Sequence, residues 1–168
     1  MKYTIVYAKR KNVTLAIVDG ALLVKAPYGT SESVIESLVS KHIRWVETHI
    51  RAQARKKEMI SSLSDSDIKK LKKEARVYFA EKTEHFARIM DIKYGRITIT
   101  SAMKRFGSCN SLGNICYSYR LMLYPEAARE YVIVHELAHI LEMNHSKRFY
   151  EIVERVLPDY KRRKRLLK

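Results

Sequence analysis

Tyr131-Val132-Ile133-Val134-His135-Glu136-Leu137-Ala138-His139-Ile140-Leu141 is the stretch on which the reading of this chain turns. Its apolar residues surround a His-Glu-x-x-His pattern, and the run is long enough for a buried helix. Four residues advance about 400° at roughly 3.6 residues per turn, so His135 and His139 project from one helical face. Two imidazoles placed in this way can bind one zinc ion at about 2.0–2.1 Å each. Glu136 lies one position on, beside the metal and off the line of its ligands. There it can take a proton from a zinc-bound water, which the ion acidifies to a pKa of about 7. A buried helix carrying His, Glu and His is costly unless something pairs with them.

A catalytic zinc site needs a third protein ligand and one open position. His145, six residues after His139 in Met143-Asn144-His145-Ser146, fits that need. Asn144 is expected to take the left-handed conformation that ends a helix and returns His145 to the metal. Glu151 and Glu154 on the following helix are rival ligands and rank below His145. His42, His49 and His85 have no ligand spacing to the motif and are read as structural, with His42 on an apolar helical face. Trp45 and the tyrosines are assigned to core and surface.

Outward from the motif, the chain reads as an α+β domain. Residues 3–7 and 13–18 are rich in Val, Ile, Thr and Tyr, and 22–26 follows the turn signal Asp19-Gly20. From Ser31 to about Lys57 the apolar residues Ile35, Leu38, Val39, His42, Ile43, Val46 and Ile50 recur at helical spacing. Ser61–Ser66 reads as a linker, and Ser64 with Asp67 resembles a capping box. Ile68, Leu71, Ala75, Phe79, Phe86 and Ile89 carry a second helix to about Met90. Strand 96–100 and its partner 115–123 are expected to form a β-hairpin, with Gly107 and Gly113 bracketing the connection. Pro125 suits the first turn of the motif helix. A closing amphipathic helix follows Ser146, burying Phe149, Ile152, Val153 and Val156, and stops at Pro158. The whole is read as one domain, 1–168: a β region over 1–30, a helical region over 31–92 and a metal-binding core over 93–168.

The composition narrows the class. The 168 residues are 46% hydrophobic and 30% charged, with 5 Gly and 3 Pro, so there is material for a core and little for disorder. No apolar run approaches the roughly 18 residues that span a bilayer, and the N-terminus lacks the order of a secretory signal. Cys109 and Cys116 fit no zinc pattern. A cytoplasmic protein, without membrane association and acting as a monomer, is the expectation. Lys and Arg number 33 against 18 Asp and Glu, leaving +15. The clusters Lys9-Arg10-Lys11 and Lys161-Arg162-Arg163-Lys164-Arg165 can pair with nucleic acid or acidic substrates, or can simply form a solvated surface.

A resemblance rests on several motifs in order. Arg105-Phe106-Gly107-Ser108-Cys109, Gly113-Asn114-Ile115, Arg120-Leu121, the motif helix, and Asn144-His145-Ser146 with Phe149-Tyr150 are similar to the YgjP-type family of predicted metallopeptidases. Phe106 and Tyr150 stand where that family usually has Trp. The resemblance implies a small zincin-like fold, one zinc ion on His135, His139 and His145, and Glu136 as catalytic base. It also suggests distant kinship with SprT-like and Wss1-like proteases.

The function expected is a zinc-dependent hydrolase, a metallopeptidase acting on a peptide or protein laid along the edge of the 96–123 hairpin. Arg105 and the strand residue Tyr119 are the expected substrate-binding groups, either of which can stabilise the oxyanion; Arg105 can equally be an ion-pair partner. One alternative keeps the metal and takes a nucleotide, as a nucleoside triphosphate (UTP) pyrophosphatase. A further alternative is a basic nucleic-acid-associated protein with a structural zinc. Glu136 speaks against the last, because a structural site needs no base beside its ligands.

Overall fold

β1 (Tyr3–Ala8), β2 (Thr14–Val18) and β3 (Ala21–Pro27) form the first of two three-stranded sheets in the computed structural model, which describes residues 2–167. The third strand in sequence lies in the middle. β2 turns back on β3 through Asp19 and Gly20, both at positive φ, and β1 pairs on the far side of β3 in parallel. Side chains alternate across a strand, so Leu22, Val24 and Ala26 of the central strand point to one face. They meet Ile35, Val39 and Val46 from α1 (Glu32–Lys41) and α2 (Ile43–Ser61) in a common core. Gln53 ties α2 to the hairpin: its Oε1 accepts from Gly20 N–H and its Nε2 donates to the Ile17 carbonyl, both at 3.2 Å.

One helix was expected over 31–57, but the chain breaks at His42, whose φ of −109° and ψ of 13° are not helical. His42 is therefore not a core residue. It is exposed at the junction, with Nδ1 donating to the Leu38 carbonyl, which also accepts from the His42 backbone N–H. His49 uses Nδ1 in the same way on the Trp45 carbonyl.

Residues 1–63 and 64–168 are two compact units. Their boundary falls in the serine-rich stretch read as a linker, so the helical region 31–92 is divided between them. The second unit opens with α3 (Asp65–Met90), whose Ser64/Asp67 capping box has both of its reciprocal hydrogen bonds. Ala75, Phe79 and Phe86 are buried as their spacing predicts, with Thr83 and Ala87 beside them. Ile89 is exposed instead, because the buried stripe drifts past it at the last turn.

The second sheet repeats the topology of the first without repeating its sequence. β4 (Ile97–Thr100) pairs in parallel with β6 (Ile115–Ser118), and β5 (Gly107–Cys109) pairs with β6 antiparallel on the other side. The expected hairpin between 96–100 and 115–123 is thus corrected: parallel neighbours need a crossover, and β5 lies within it. The β5–β6 turn is held by Asn110, whose Oδ1 accepts from Leu112 N–H and Asn114 N–H at 3.0 Å each. The expected partner strand also ends early, because residues Tyr119–Leu123 coil into a 3-10 turn capped by Ser118. α4 (Glu126–Leu141) carries the His-Glu-x-x-His motif and is buried along most of its length. α5 (Lys147–Val156) closes the expected order, and a short α6 (Tyr160–Arg165) follows. Tyr117 fixes the sheet on α3, stacking on Phe79 at 4.6 Å and sharing a 3.1 Å hydrogen bond with Thr83.

Candidate metal centre

His135 and His139 stand one turn apart on α4, and the chain after the helix brings His145 back to them. The hinge is Glu142, not Asn144. Glu142 is extended, with φ −148° and ψ 104°, while Asp19 and Asp91 are the only non-glycine residues at positive φ among those described. The expected left-handed Asn144 is therefore corrected. The Glu142 carboxylate accepts from Asn144 N–H at 3.3 Å, Ser146 N–H donates to the Asn144 carbonyl at 2.7 Å, and the Ser146 hydroxyl caps α5. These bonds hold the tight turn that carries His145.

The result is a converged set of three imidazoles. One ligand atom from each of His135, His139 and His145 lies within 4.8 Å of the others, and the Nε2 atoms of His135 and His145 are 3.0 Å apart. Nitrogens about 2.0–2.1 Å from one tetrahedral ion stand roughly 3.3 Å apart, so this spacing suits a single metal. The far nitrogens of His135 and His139 are also accounted for. His139 Nδ1 donates to the Glu142 carbonyl at 3.2 Å and His135 Nδ1 to the Tyr131 hydroxyl at 3.4 Å. A proton held on Nδ1 leaves Nε2 free to bind metal. Burial, then the neighbouring imidazoles and Lys164, hold His135 down at about 3, and burial also lowers His139. Both are therefore neutral near pH 7, as ligands must be.

Phe149 is the floor of the cluster. Its ring lies 4.8, 4.6 and 4.8 Å from the rings of His135, His139 and His145, and it is fully buried. The sequence marks Phe149 as a core residue of α5 without showing that it packs against the three converging histidines. Tyr131 was likewise missed, although its place four residues before His135 puts it on the same helical face.

Glu136 is 5% exposed, and burial raises its carboxyl to about 7. It lies against β5: a Cβ on Gly107 would stand 2.5 Å from Glu136 Oε1. Only glycine leaves room there for the carboxylate.

The remaining expected residues are not gathered at this cluster. Glu151 and Glu154 are exposed on α5, and Glu151 pairs with Lys147 at 3.5 Å. Tyr119 is in the 3-10 turn rather than a strand, 3% exposed, with the Lys72 ammonium 5.7 Å above its ring. Arg105 is exposed in the loop before β5. It lines a cleft of about 490 Å³ with Met103, Phe106, Ser108, Cys116 and Ser118, and neither Glu136 nor the three histidines contribute to that lining. His85 is exposed on α3.

Residues 53–168 match the family described as YgjP-like, metallopeptidase domain. Among solved structures the chain is similar to the crystal structure of the metallopeptidase zymogen of Pyrococcus abyssi abylysin, with 22% identity and a TM-score of 0.49. That likeness covers 53% of this chain and 90% of the other. No curated protein matches the chain.

Proposed function

We propose, from the premise that the chain belongs to the YgjP-like metallopeptidase family and is a metal-dependent hydrolase, that it is a zinc peptidase with Glu136 as general base. The observation that carries this reading is the convergence of His135, His139 and His145, with Glu136 between the first two and buried against Gly107. Three imidazole nitrogens are a donor set that suits zinc, and two of the rings, His135 and His139, are oriented by hydrogen bonds to their far nitrogens.

When bound there, zinc polarises a carbonyl and acidifies water. The remaining work falls to the chain. Tyr131 and the Glu142 carbonyl orient His135 and His139, and Phe149 keeps the three rings together. Glu136 takes a proton from the attacking water and returns it to the leaving amine. Its buried position favours that exchange, because a carboxyl held near neutrality can both accept and give up a proton at pH 7. β5 is an edge strand beside Glu136, and its free backbone groups can align an extended peptide across the site. No helix among the described residues is long and apolar enough to cross a membrane.

The reading is tested on protein purified without a metal-affinity tag. Metal content is measured by mass spectrometry, and the zinc-loaded protein is given peptides and nucleoside triphosphates in parallel. One equivalent of zinc with peptide cleavage is expected. Nucleotide hydrolysis with no peptide cleavage would transfer the same metal site to a phosphoanhydride substrate.

A further inference from the structure

The C-terminal basic run is divided by its helix into two faces. On α6, Arg163 pairs with Glu130 and with Asp159, at 2.6 Å each, and Arg162 pairs with Asp159 at 2.8 Å. These two arginines are spent within the fold. Lys161, Lys164 and Arg165 are spaced at i, i+3 and i+4, which places them on a common face. None of the three has an ion-pair partner among the described residues.

Those three cations rim a cavity of about 300 Å³ whose walls are Tyr150 and Tyr160. The two rings stack at 5.9 Å, with Lys164 Nζ 5.5 Å from the Tyr150 ring and Lys161 Nζ 5.6 Å from the Tyr160 ring. No acidic side chain lines it. Three unneutralised cations around a partly apolar cavity make a receptor for an anion, since charge-assisted hydrogen bonds to carboxylates are the strong ones.

The tyrosine walls of the cavity adjoin the histidine cluster. The Tyr150 ring lies 6.3 Å from that of His145, and Tyr160 stacks at 6.5 Å on Tyr131, whose hydroxyl holds His135. The step from His145 through Tyr150 to Lys164 is no longer than about four residues of extended chain at roughly 3.3–3.6 Å each.

We propose that the Tyr150–Tyr160 cavity, with Lys161, Lys164 and Arg165, is a specificity subsite that binds a carboxylate of the peptide substrate within about four residues of the scissile bond. The inference rests on the peptidase reading. The carboxylate comes from an acidic side chain or from the substrate's own C-terminus. A peptide is favoured over a nucleic acid because the three cations ring one small cavity, which takes one anionic group. A phosphate backbone needs a series of cations along a track.

The test is a mixture of random decapeptides, with free or amidated C-termini, incubated with the zinc-loaded full chain and read by mass spectrometry for every bond cut. At one fixed position, Asp and Glu should be enriched about tenfold or more over Asn and Gln; if the terminus is the ligand, amidation should suppress cutting by the same factor. The triple variant K161A/K164A/R165A should still cut, without the preference. Lys164→Glu should shift enrichment toward Lys and Arg, and circular dichroism should show both variants folded. Cleavage without acidic or terminal preference, or a preference unchanged in the triple variant, overturns the subsite and leaves the peptidase reading intact. Absence of all cleavage by zinc-loaded protein overturns both. Salt-sensitive binding of a single-stranded oligonucleotide that Lys164→Glu abolishes, without acidic enrichment, would assign the cations to phosphate instead.

Discussion

Gly107 and Glu136 share a space that holds only one of a Cβ or a carboxylate: a Cβ built on Gly107 would stand 2.5 Å from Oε1 and 2.7 Å from Cγ of Glu136. The glycine is not needed for its backbone, since Gly107 is not among the glycines at positive φ. Alanine at 107 is therefore compatible with the strand and incompatible with Glu136 in place. Gly107→Ala should keep the three histidines and their metal while lowering kcat at least tenfold, because Glu136 must turn away from the water. In Glu136→Ala the added methyl has room, so combining the two substitutions should cost little beyond Glu136→Ala alone. A Gly107→Ala protein with wild-type kcat would show that the carboxylate works from another position.

The ligand set predicts which substitutions release metal. His135→Ala, His139→Ala and His145→Ala should each lose most of the bound zinc, measured by mass spectrometry after dialysis. Glu151→Ala and Glu154→Ala should keep it, since both carboxylates are exposed on α5 and outside the cluster. Full retention in His145→Ala would move the third ligand elsewhere.

Tyr131 should affect the metal without touching it. Its hydroxyl lies 3.4 Å from His135 Nδ1, a long bond, so Tyr131→Phe is expected at the weak end of the range for such supporting groups, about tenfold in zinc affinity. The measurement is a competition titration against a chelator of known affinity. An unchanged Kd would mean that packing by Phe149 alone fixes the His135 ring.

The parts of this structure that were legible in the sequence are those written in side-chain periodicity. The buried face of α4, the Ser64/Asp67 box and the apolar stripe of α3 all have local causes, and apart from the exposed Ile89 each is where its spacing puts it. β5 escaped because Gly107-Ser108-Cys109 carries little strand propensity. It is a strand through its pairing with β6 and its closeness to Glu136, both of them long-range. α6 escaped for the opposite reason: Tyr160–Arg165 is nearly all charge, and beside its local partner Asp159 the second, Glu130 on α4, only becomes visible when the chain is folded. The return of His145 was legible as a spacing, but the residue that turns the chain was not. Asn144 has the chemistry for a left-handed cap, whereas Glu142 does the turning in an extended conformation that any residue adopts.

The Arg163 guanidinium ties α6 to α4 and is mostly shielded, with a side chain 19% exposed between Glu130 and Asp159. Arg163→Ala leaves Glu130 with Lys82 and Asp159 with Arg162, so neither carboxylate is abandoned. A loss of about 1.5–2 kcal/mol is expected in urea unfolding, at the low end of the range for hydrogen bonds to charged groups. A midpoint and slope equal to wild type would show that Tyr160 packing holds α6 without the pair.

Glu136→Gln separates the base from the ligands. The amide is nearly isosteric with the carboxylate, and Gly107 leaves it the same room. Glu136 is not one of the three converging ligands, so the zinc content of the variant should equal that of wild type. What the amide cannot do is accept the water's proton. General-base catalysis contributes typically about 10²–10⁴-fold, and turnover should fall by at least that range. The loss should appear in kcat rather than KM, because proton transfer belongs to the transition state and not to substrate binding. The same loss is expected whether the substrate is a peptide or a nucleotide, since the water is common to both. A Glu136→Gln protein that keeps its zinc and turns over substrate at the wild-type rate would remove Glu136 from the reaction.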